Sequence, residues 1–341
     1  MRERNSFDLS SRLGRAFLSL AVVVAALMTS AGTAAATYKL RLATTNTDQM
    51  SQGITYMKLA DMVKKKSNGE LIIDNYLGSS LFNEPANIEA IKSGSVEMGD
   101  ATNANWGKFL DAFLFMDLPY VVNGMDGLRK VINGPIGKEI EQKFEAQGFK
   151  ILMFNDNGGF RSIYNNVRPV HVPSDMKGLK IRTTGTPVDL AIFKTAGANP
   201  ISFAWAEVYT GLSQKVIDGL MTTHNQMVGQ GFVDVIKYST EAQVVPNMEV
   251  LVVSKKAFDN LPPNLQKILT ESAKELEPFQ HDLDAKLVQD AVKVSKEKGV
   301  QFYYPSPAEM KEWQQLGRQV WPQFADKVPQ QYIERVLKAQ E

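Results

Sequence analysis

Cysteine is absent from the 341 residues. That absence excludes disulfides, thiolate nucleophiles and cysteine metal sites. It also leads to the expectation that no lipid is attached through a cysteine at a processed amino terminus. Histidine is scarce. The three that occur, His171, His224 and His281, are not spaced as a metal-binding pair on a helix. No G-x-S-x-G elbow, phosphate-binding glycine loop or G-x-G-x-x-G is found. No pair of carboxylates stands out as an acid–base couple. An excess of one charge is missing too: 38 basic residues face 37 acidic ones, a formal net of +1. Nothing therefore points to a nucleic-acid partner. The one basic run, Lys64-Lys65-Lys66, falls where a helix should end, and cations there complement the helix dipole.

Long apolar runs are lacking except at the start. Arg2, Arg4, Arg12 and Arg15 form a basic leader, and residues 16–28 are uncharged and apolar. Small residues follow, ending Ala34-Ala35-Ala36. This is the pattern of a secretory signal peptide. The run is shorter than the roughly 20 residues a bilayer span needs. The expectation is a signal peptide over residues 1–36, cleaved near Ala36, and a periplasmic mature chain. Removing it takes four arginines from the 38 basic residues, and Glu3 and Asp8 from the 37 acidic ones. That leaves 34 against 35, a net of −1.

The remaining length allows about two domains, and 44% apolar content supplies material for their cores. Residues 38–43 alternate as a strand. Tyr56, Leu59, Ala60 and Val63 share one face of a helix, which Asn68-Gly69 closes. A second strand covers residues 71–74. This β-α-β start predicts an α/β architecture. Residues 88–102 and 209–223 resemble each other. Each reads as a helix end, a tight stop, a strand with one acidic residue, then small polar residues. The repetition predicts two lobes of similar build. Further strands are expected over 151–154, 179–182 and 250–253. Thr186 and Pro187 should open a helix as N-cap and first helical residue. Residues 264–297 read as helical, with Pro278 expected to kink or break the segment. No low-complexity linker separates the lobes. The chain should therefore cross between them more than once and leave a cleft.

One set of motifs stands out: Asn157-Gly-Gly-Phe-Arg161, Asp175-Met-Lys-Gly-Leu-Lys-Ile-Arg182, Gly197-Ala-Asn-Pro200 and Glu207-Val-Tyr209. Asp117-Leu-Pro-Tyr120 and Ser93-Gly-Ser-Val-Glu97 precede them. In order and spacing these resemble the solute receptors of tripartite ATP-independent periplasmic (TRAP) transporters, over nearly the whole mature chain. The resemblance implies a two-lobed α/β solute-binding fold with a ligand cleft and a long helix crossing both lobes. It implies a small organic acid as ligand and TRAP membrane permease subunits as partners. It implies Arg182 as the principal carboxylate anchor, assisted by Arg161.

Physical chemistry agrees with the anchor assignment. A guanidinium fork matches a carboxylate's two oxygens and stays charged at physiological pH. Arg182 ends a strand, the edge where α/β ligands bind.

The chain departs from the family where Gln-Glu-Asn-Pro often follows the Asp-Gly pair. Here Leu220-Met-Thr-Thr-His224 stands instead, and Thr222 replaces the ligand-touching amide. Trp205 falls where the family places an aromatic against the ligand. Thr44, Thr45, Thr102 and Asn103 end strands of the first lobe and are expected to face the cleft. Trp106 and Phe160 could add apolar surface, although core is the commoner place for such residues. These walls suit a ligand with an acid end and a partly apolar body: a 2-oxo acid, an aromatic carboxylate or a short dicarboxylate.

The expected lobes are 37–158 with 248–287 and 159–247 with 288–341, hinged near residues 158 and 247. The expected protein is a monomeric receptor without cofactor, metal or catalytic residues, and no enzyme. The rival readings are a ligand-sensing module for a membrane kinase and a periplasmic enzyme on the same scaffold.

Overall fold

The computed structural model of the chain describes residues 37–341. The basic leader, apolar run and cleavage site expected within residues 1–36 lie outside the described residues. Among the described residues the strands are β1 (Tyr38–Ala43), β2 (Leu71–Tyr76), β3 (Met98–Thr102), β4 (Phe149–Phe160), β5 (Ser162–Asn165), β6 (Lys180–Thr183), β7 (Asn199–Ser202), β8 (Gly219–Thr222), β9 (Tyr238–Thr240), β10 (Pro246–Ser254) and β11 (Gln301–Tyr303). They form two sheets, in the orders β2-β1-β3-β10-β4 and β11-β9-β5-β8-β6-β7.

The two sheets share a plan. In the first, β1 runs parallel to β2 and β3, and β3 is antiparallel to β10. In the second, β6 runs parallel to β7 and β8, and β8 is antiparallel to β5. The repeated segments supply the central strands β3 and β8, each preceded by a helix, Glu84–Ser93 or Val208–Ser213. Each helix stops at a left-handed residue, Gly94 at φ 79° in one case and Lys215 at φ 59° in the other. The acid just before each central strand, Glu97 before β3 and Asp218 before β8, plays the same part. Glu97 accepts from the Arg41 backbone N–H at 2.8 Å, and Asp218 accepts from the Lys180 N–H at 2.8 Å. Each carboxylate thereby satisfies a donor on the neighbouring parallel strand, β1 or β6.

The chain passes between the sheets along two adjacent paths. β4 pairs with β10 in the first sheet up to Phe160, and β5 begins two residues later in the second. The return runs from β9 to β10. The pairing is irregular here: its register shifts at Asn247/Met248, opposite Gly158 and Gly159, both at positive φ. A Cβ on Gly158 would lie 2.2 Å from Asn225 Oδ1, so only glycine fits this crossing.

A third link is the helix Pro263–Glu297, 35 residues long and about 52 Å end to end at 1.5 Å per residue. Leu265, Leu269, Ala273 and Leu276 bury its first half against Leu40, Leu42, Tyr56, Leu59 and Val63. Farther along, Asp284 accepts from Ser51 Oγ at 2.8 Å, Gly158 N at 2.8 Å and Asn225 Nδ2 at 3.0 Å. One carboxylate thus joins segments from both sheets and the crossing.

Of the kink or break expected at Pro278, the break is absent: one helix runs through it. Packing on both sides holds the turn that lacks its N–H, since tertiary contacts override local propensity.

Thr186 caps the helix Pro187–Thr195 as expected, accepting from the Asp189 N–H at 3.1 Å. The C-terminal helix Gln330–Lys338 returns to the first sheet's side, where Tyr332 meets Phe115 and Arg335 pairs with Glu139. No helix among the described residues is long and apolar enough to cross a membrane.

Candidate ligand-binding site

A cavity of about 560 Å³ lies between the two sheets, within the usual range for small-molecule sites. Both sheets contribute to it through the ends and following loops of their strands. Arg182, Arg161, Trp205, Thr222, Thr102 and Thr45 all line it.

Arg182 projects from the end of β6 and is only 7% exposed. Its Nε donates to the Phe203 carbonyl at 3.1 Å. That is the only hydrogen-bond partner the guanidinium has among the described residues. Its Cζ sits 5.1 Å from the centre of the Trp205 ring, a cation–π contact. Trp205 is itself braced edge-on by Phe232. Burial lowers the Arg182 pKa to about 10, with Asp189 and Glu84 opposing and Arg161 adding to the drop. The group therefore stays charged at neutral pH.

Arg161, 4% exposed, is held by an amide rather than a carboxylate. Its Nε and Nη2 both donate to Asn247 Oδ1, at 3.0 and 2.7 Å. The nearest acid, Asp189, is 4.0 Å away. Lys108, from the first sheet's side, donates to the Thr184 carbonyl across the cleft. Two buried guanidinium groups thus face one cavity with donors to spare, since Arg182 bonds no carboxylate and Arg161 meets Asp189 only at 4.0 Å. Such a site favours an anion, because an uncompensated buried cation is costly.

The opposite wall is acidic. Glu84 lines the cavity, and its Oε2 accepts from Thr102 N at 2.9 Å, Thr102 Oγ1 at 2.8 Å and Asn105 Nδ2 at 2.6 Å. Glu249, buried in β10, also lines it; Asn157 and Asn46 donate to its two oxygens at 2.7 and 2.6 Å. Behind it, Asp100 accepts from Tyr56 at 2.8 Å and Asn46 at 3.0 Å. Burial raises Asp100 to about 6 and pushes Glu249 well above the carboxylate range, reinforced there by Asp100. Near Arg161, burial lifts Asp117 to about 7 against the pull of that arginine.

Two expected wall residues are elsewhere. Thr44 is buried behind the wall, where its hydroxyl accepts from Asn46 Nδ2 at 3.0 Å. Thr45 takes the cavity position, because successive residues of extended chain point to opposite sides. Asn103 is fully buried. It donates to Asp117 at 2.7 Å and accepts from Met248 N at 3.0 Å, tying the start of its helix to β10. Trp106 is core, packed against Phe144 and Phe149. Phe160 packs on the same cluster. His224 stands behind the wall between Tyr164 and Glu241.

Sequence reasoning missed Glu84, Glu249, Lys108, Phe203 and Asn247. Glu249 had a signal: it is the one charged residue of β10 and sits in the apolar run Met248–Val253, a placement that needs partners. Phe203 and Lys108 had none. Among the described residues no acid and histidine cluster could hold a metal ion.

A conserved-domain match decides the family. Residues 42–327 match the bacterial extracellular solute-binding protein family 7. The chain belongs to that family. This family 7 protein is 31% identical over 314 residues to the 2,3-diketo-L-gulonate-binding periplasmic protein of Escherichia coli (strain K12), spanning 92% of this chain and 95% of that one. It is 26% identical to the sugar acid binding protein of Advenella mimigardefordensis strain DPN7T solved with galactonate, at TM-score 0.85 over 89% and 98% of the two chains. A TRAP periplasmic solute-binding protein from Shewanella oneidensis, solved with succinate, shares the fold at TM-score 0.86 and 24% identity, over 90% and 100%. The two-lobed α/β solute-binding fold expected from the motifs is therefore the fold of this family 7 protein.

Proposed function

We propose that this protein is the periplasmic receptor of a TRAP-type transporter. In this reading it closes on a small organic acid through Arg182 and Arg161 and presents it to the membrane permease. The observation that carries the reading is Arg182: buried, charged, and without a carboxylate partner among the described residues. Charge-assisted hydrogen bonds contribute roughly 1.5–3 kcal/mol each. Two or three from a fork in a closed cavity approach the roughly 8 kcal/mol of a micromolar receptor. The relatives named for diketogulonate and galactonate support an acid ligand.

The lobes, 37–158 with 248–287 and 159–247 with 288–341 apart from the C-terminal helix Gln330–Lys338, which packs on the first, would rotate about Gly158-Gly159 and Asn247, where the pairing of β4 and β10 is irregular. Ligand favours the closed form because only that form lets both walls touch it. Trp205, Thr222, Thr102 and Thr45 complete the contact surface. The protein works as a monomer after removal of its leader near Ala36, as a receptor and not an enzyme.

Thermal melting with a panel of organic acids, on wild type and Arg182→Ala, tests this. A ligand at about a hundred times its Kd adds roughly 2.7 kcal/mol, a rise of several degrees for wild type and none for the variant. A variant that shifts as wild type does would overturn the anchor.

A further inference from the structure

We infer that Glu84 sets the ligand class: the cleft selects a monocarboxylate whose far end carries hydroxyl groups and rejects a dicarboxylate. The inference rests on the carboxylate reading above and concerns the end of the ligand that the arginines do not hold.

The cavity is polarised. Arg182 and Arg161 come from the second sheet's side, and Lys108, rooted in the first, reaches across to the Thr184 carbonyl beside them; Glu84, with the Asp100–Glu249 pair, comes from the first. Glu84 is fixed from behind. Three donors converge on its Oε2, two of them from Thr102 and one from Asn105. Held by three bonds on one oxygen, the carboxylate cannot swing away and keeps its other oxygen toward the cavity. Its Oε1 has no hydrogen-bond partner among the described residues. An ionised carboxylate only accepts hydrogen bonds, so whatever meets Oε1 must donate.

A second ligand carboxylate cannot donate at neutral pH. It would set acceptor against acceptor at Glu84, the carboxylate that lines this end of the cavity. Like charges set face to face are a strong discriminating element. A hydroxyl does donate, and sites built to bond one reject analogues that lack it.

An ammonium group could also face Glu84, but the neighbouring wall argues for a polyol. Thr45, Asn46, Ser79, Asn83 and Asn105 line the same region. Their amides and hydroxyls both give and accept hydrogen bonds. That mixture matches a row of hydroxyls, each of which also does both, and not a compact group that only donates. Apolar lining at this end is limited to Met50 and Pro85, while Phe203, Trp205 and Met221 lie on the arginine side. The partly apolar ligand body expected from the sequence is thereby replaced by a polar one.

The test is calorimetry on protein that has been unfolded, dialysed and refolded to remove carried-over ligand. The probes are D-galactonate, D-glucuronate, succinate and 4-aminobutyrate. At least one hydroxy acid should bind on the order of a hundredfold more tightly than succinate, in line with hydroxyl-reading sites. Glu84→Gln should weaken that hydroxy acid by about tenfold or more and narrow its lead over succinate, with the melting temperature of the ligand-free variant reporting that it folds. Asn105→Ala, which removes one donor behind Glu84, should narrow the lead by less. Succinate binding as tightly as the hydroxy acids, 4-aminobutyrate binding best, or Glu84→Gln leaving the ratio unchanged would each overturn the inference while leaving the anchor reading intact. Absence of binding by all four acids would overturn both.

Discussion

The two sheets are built alike and charged oppositely. Aligned on their parallel strands, the pair Ala43↔Gly99 of the first sheet corresponds to Arg182↔Leu220 of the second. Asp100, paired with Leu251, corresponds to Met221, paired with Ile163. Continuing the antiparallel register by one residue past Ser162 sets Arg161 where the first sheet has Glu249. One frame therefore presents Glu249 at the position where the other presents Arg161, and Asp100 where the other has Met221. The shared features, such as Glu97 and Asp218 each accepting from a backbone N–H of the neighbouring parallel strand, serve folding. The features that differ line the cavity. In this molecule duplication of the frame supplies the walls, and divergence at a few strand ends makes one wall hold an anion and the other accept hydrogen bonds.

The largest effect that would break this comparison is on binding. Arg161→Gln removes a cation from the second wall, and the affinity for an organic acid should fall about 10- to 100-fold, as expected for one charge-assisted contact. Asp100→Asn removes an acid from the first wall behind the contact surface, and affinity should stay within about threefold in the same titration. Equal losses would show that the walls do not divide the work.

A smaller effect concerns pH. Asp100 is raised from 3.8 to about 6, and Asp117 and Asp284 are raised to about 7 and about 6. The folded state then binds more protons than the unfolded state between about 4 and 7. Stability is fullest below that window and is lost as pH rises through it. The ligand-free protein should melt higher at pH 5.5 than at pH 7.5. Asp100→Asn should flatten that difference, its amide donating to Glu249 while its oxygen keeps the bonds from Tyr56 and Asn46. A melting temperature that rises from pH 5.5 to 7.5 would count against these burials. The smallest effect is the shared one. Glu97→Gln and Asp218→Asn should each lower unfolding free energy by about 1 kcal/mol in urea titration through the weakened bond to the neighbouring strand's N–H, with Glu97→Gln costing somewhat more because it also accepts from the half-exposed Arg41 guanidinium at 2.9 and 2.7 Å. No loss from either would mean that the two acids do not hold the parallel strands.

The frame was largely legible in the sequence. Tyr56, Leu59 and Val63 marked a buried helix face, Thr186-Pro187 marked a helix start, and the two repeats marked the central strands. All of these follow from short-range rules of periodicity and capping. The site was legible in part. Arg182 and Arg161 were found through motifs, whereas Thr44 and Asn103 were placed on the wall and belong behind it. Both errors have one cause: near a strand end, a shift of one residue exchanges wall for core.

By itself, then, the sequence determined two α/β lobes without cysteine chemistry and a pair of arginines at strand ends. Local spacing is enough to set those. Only the tertiary structure decided what the arginines face. Glu84, Glu249 and Lys108 come from segments far apart in the chain, and their sign and position in the cavity arise from how the two sheets meet. The same holds for Pro278, where contacts on both sides of the long helix outweigh the residue's own tendency to break it.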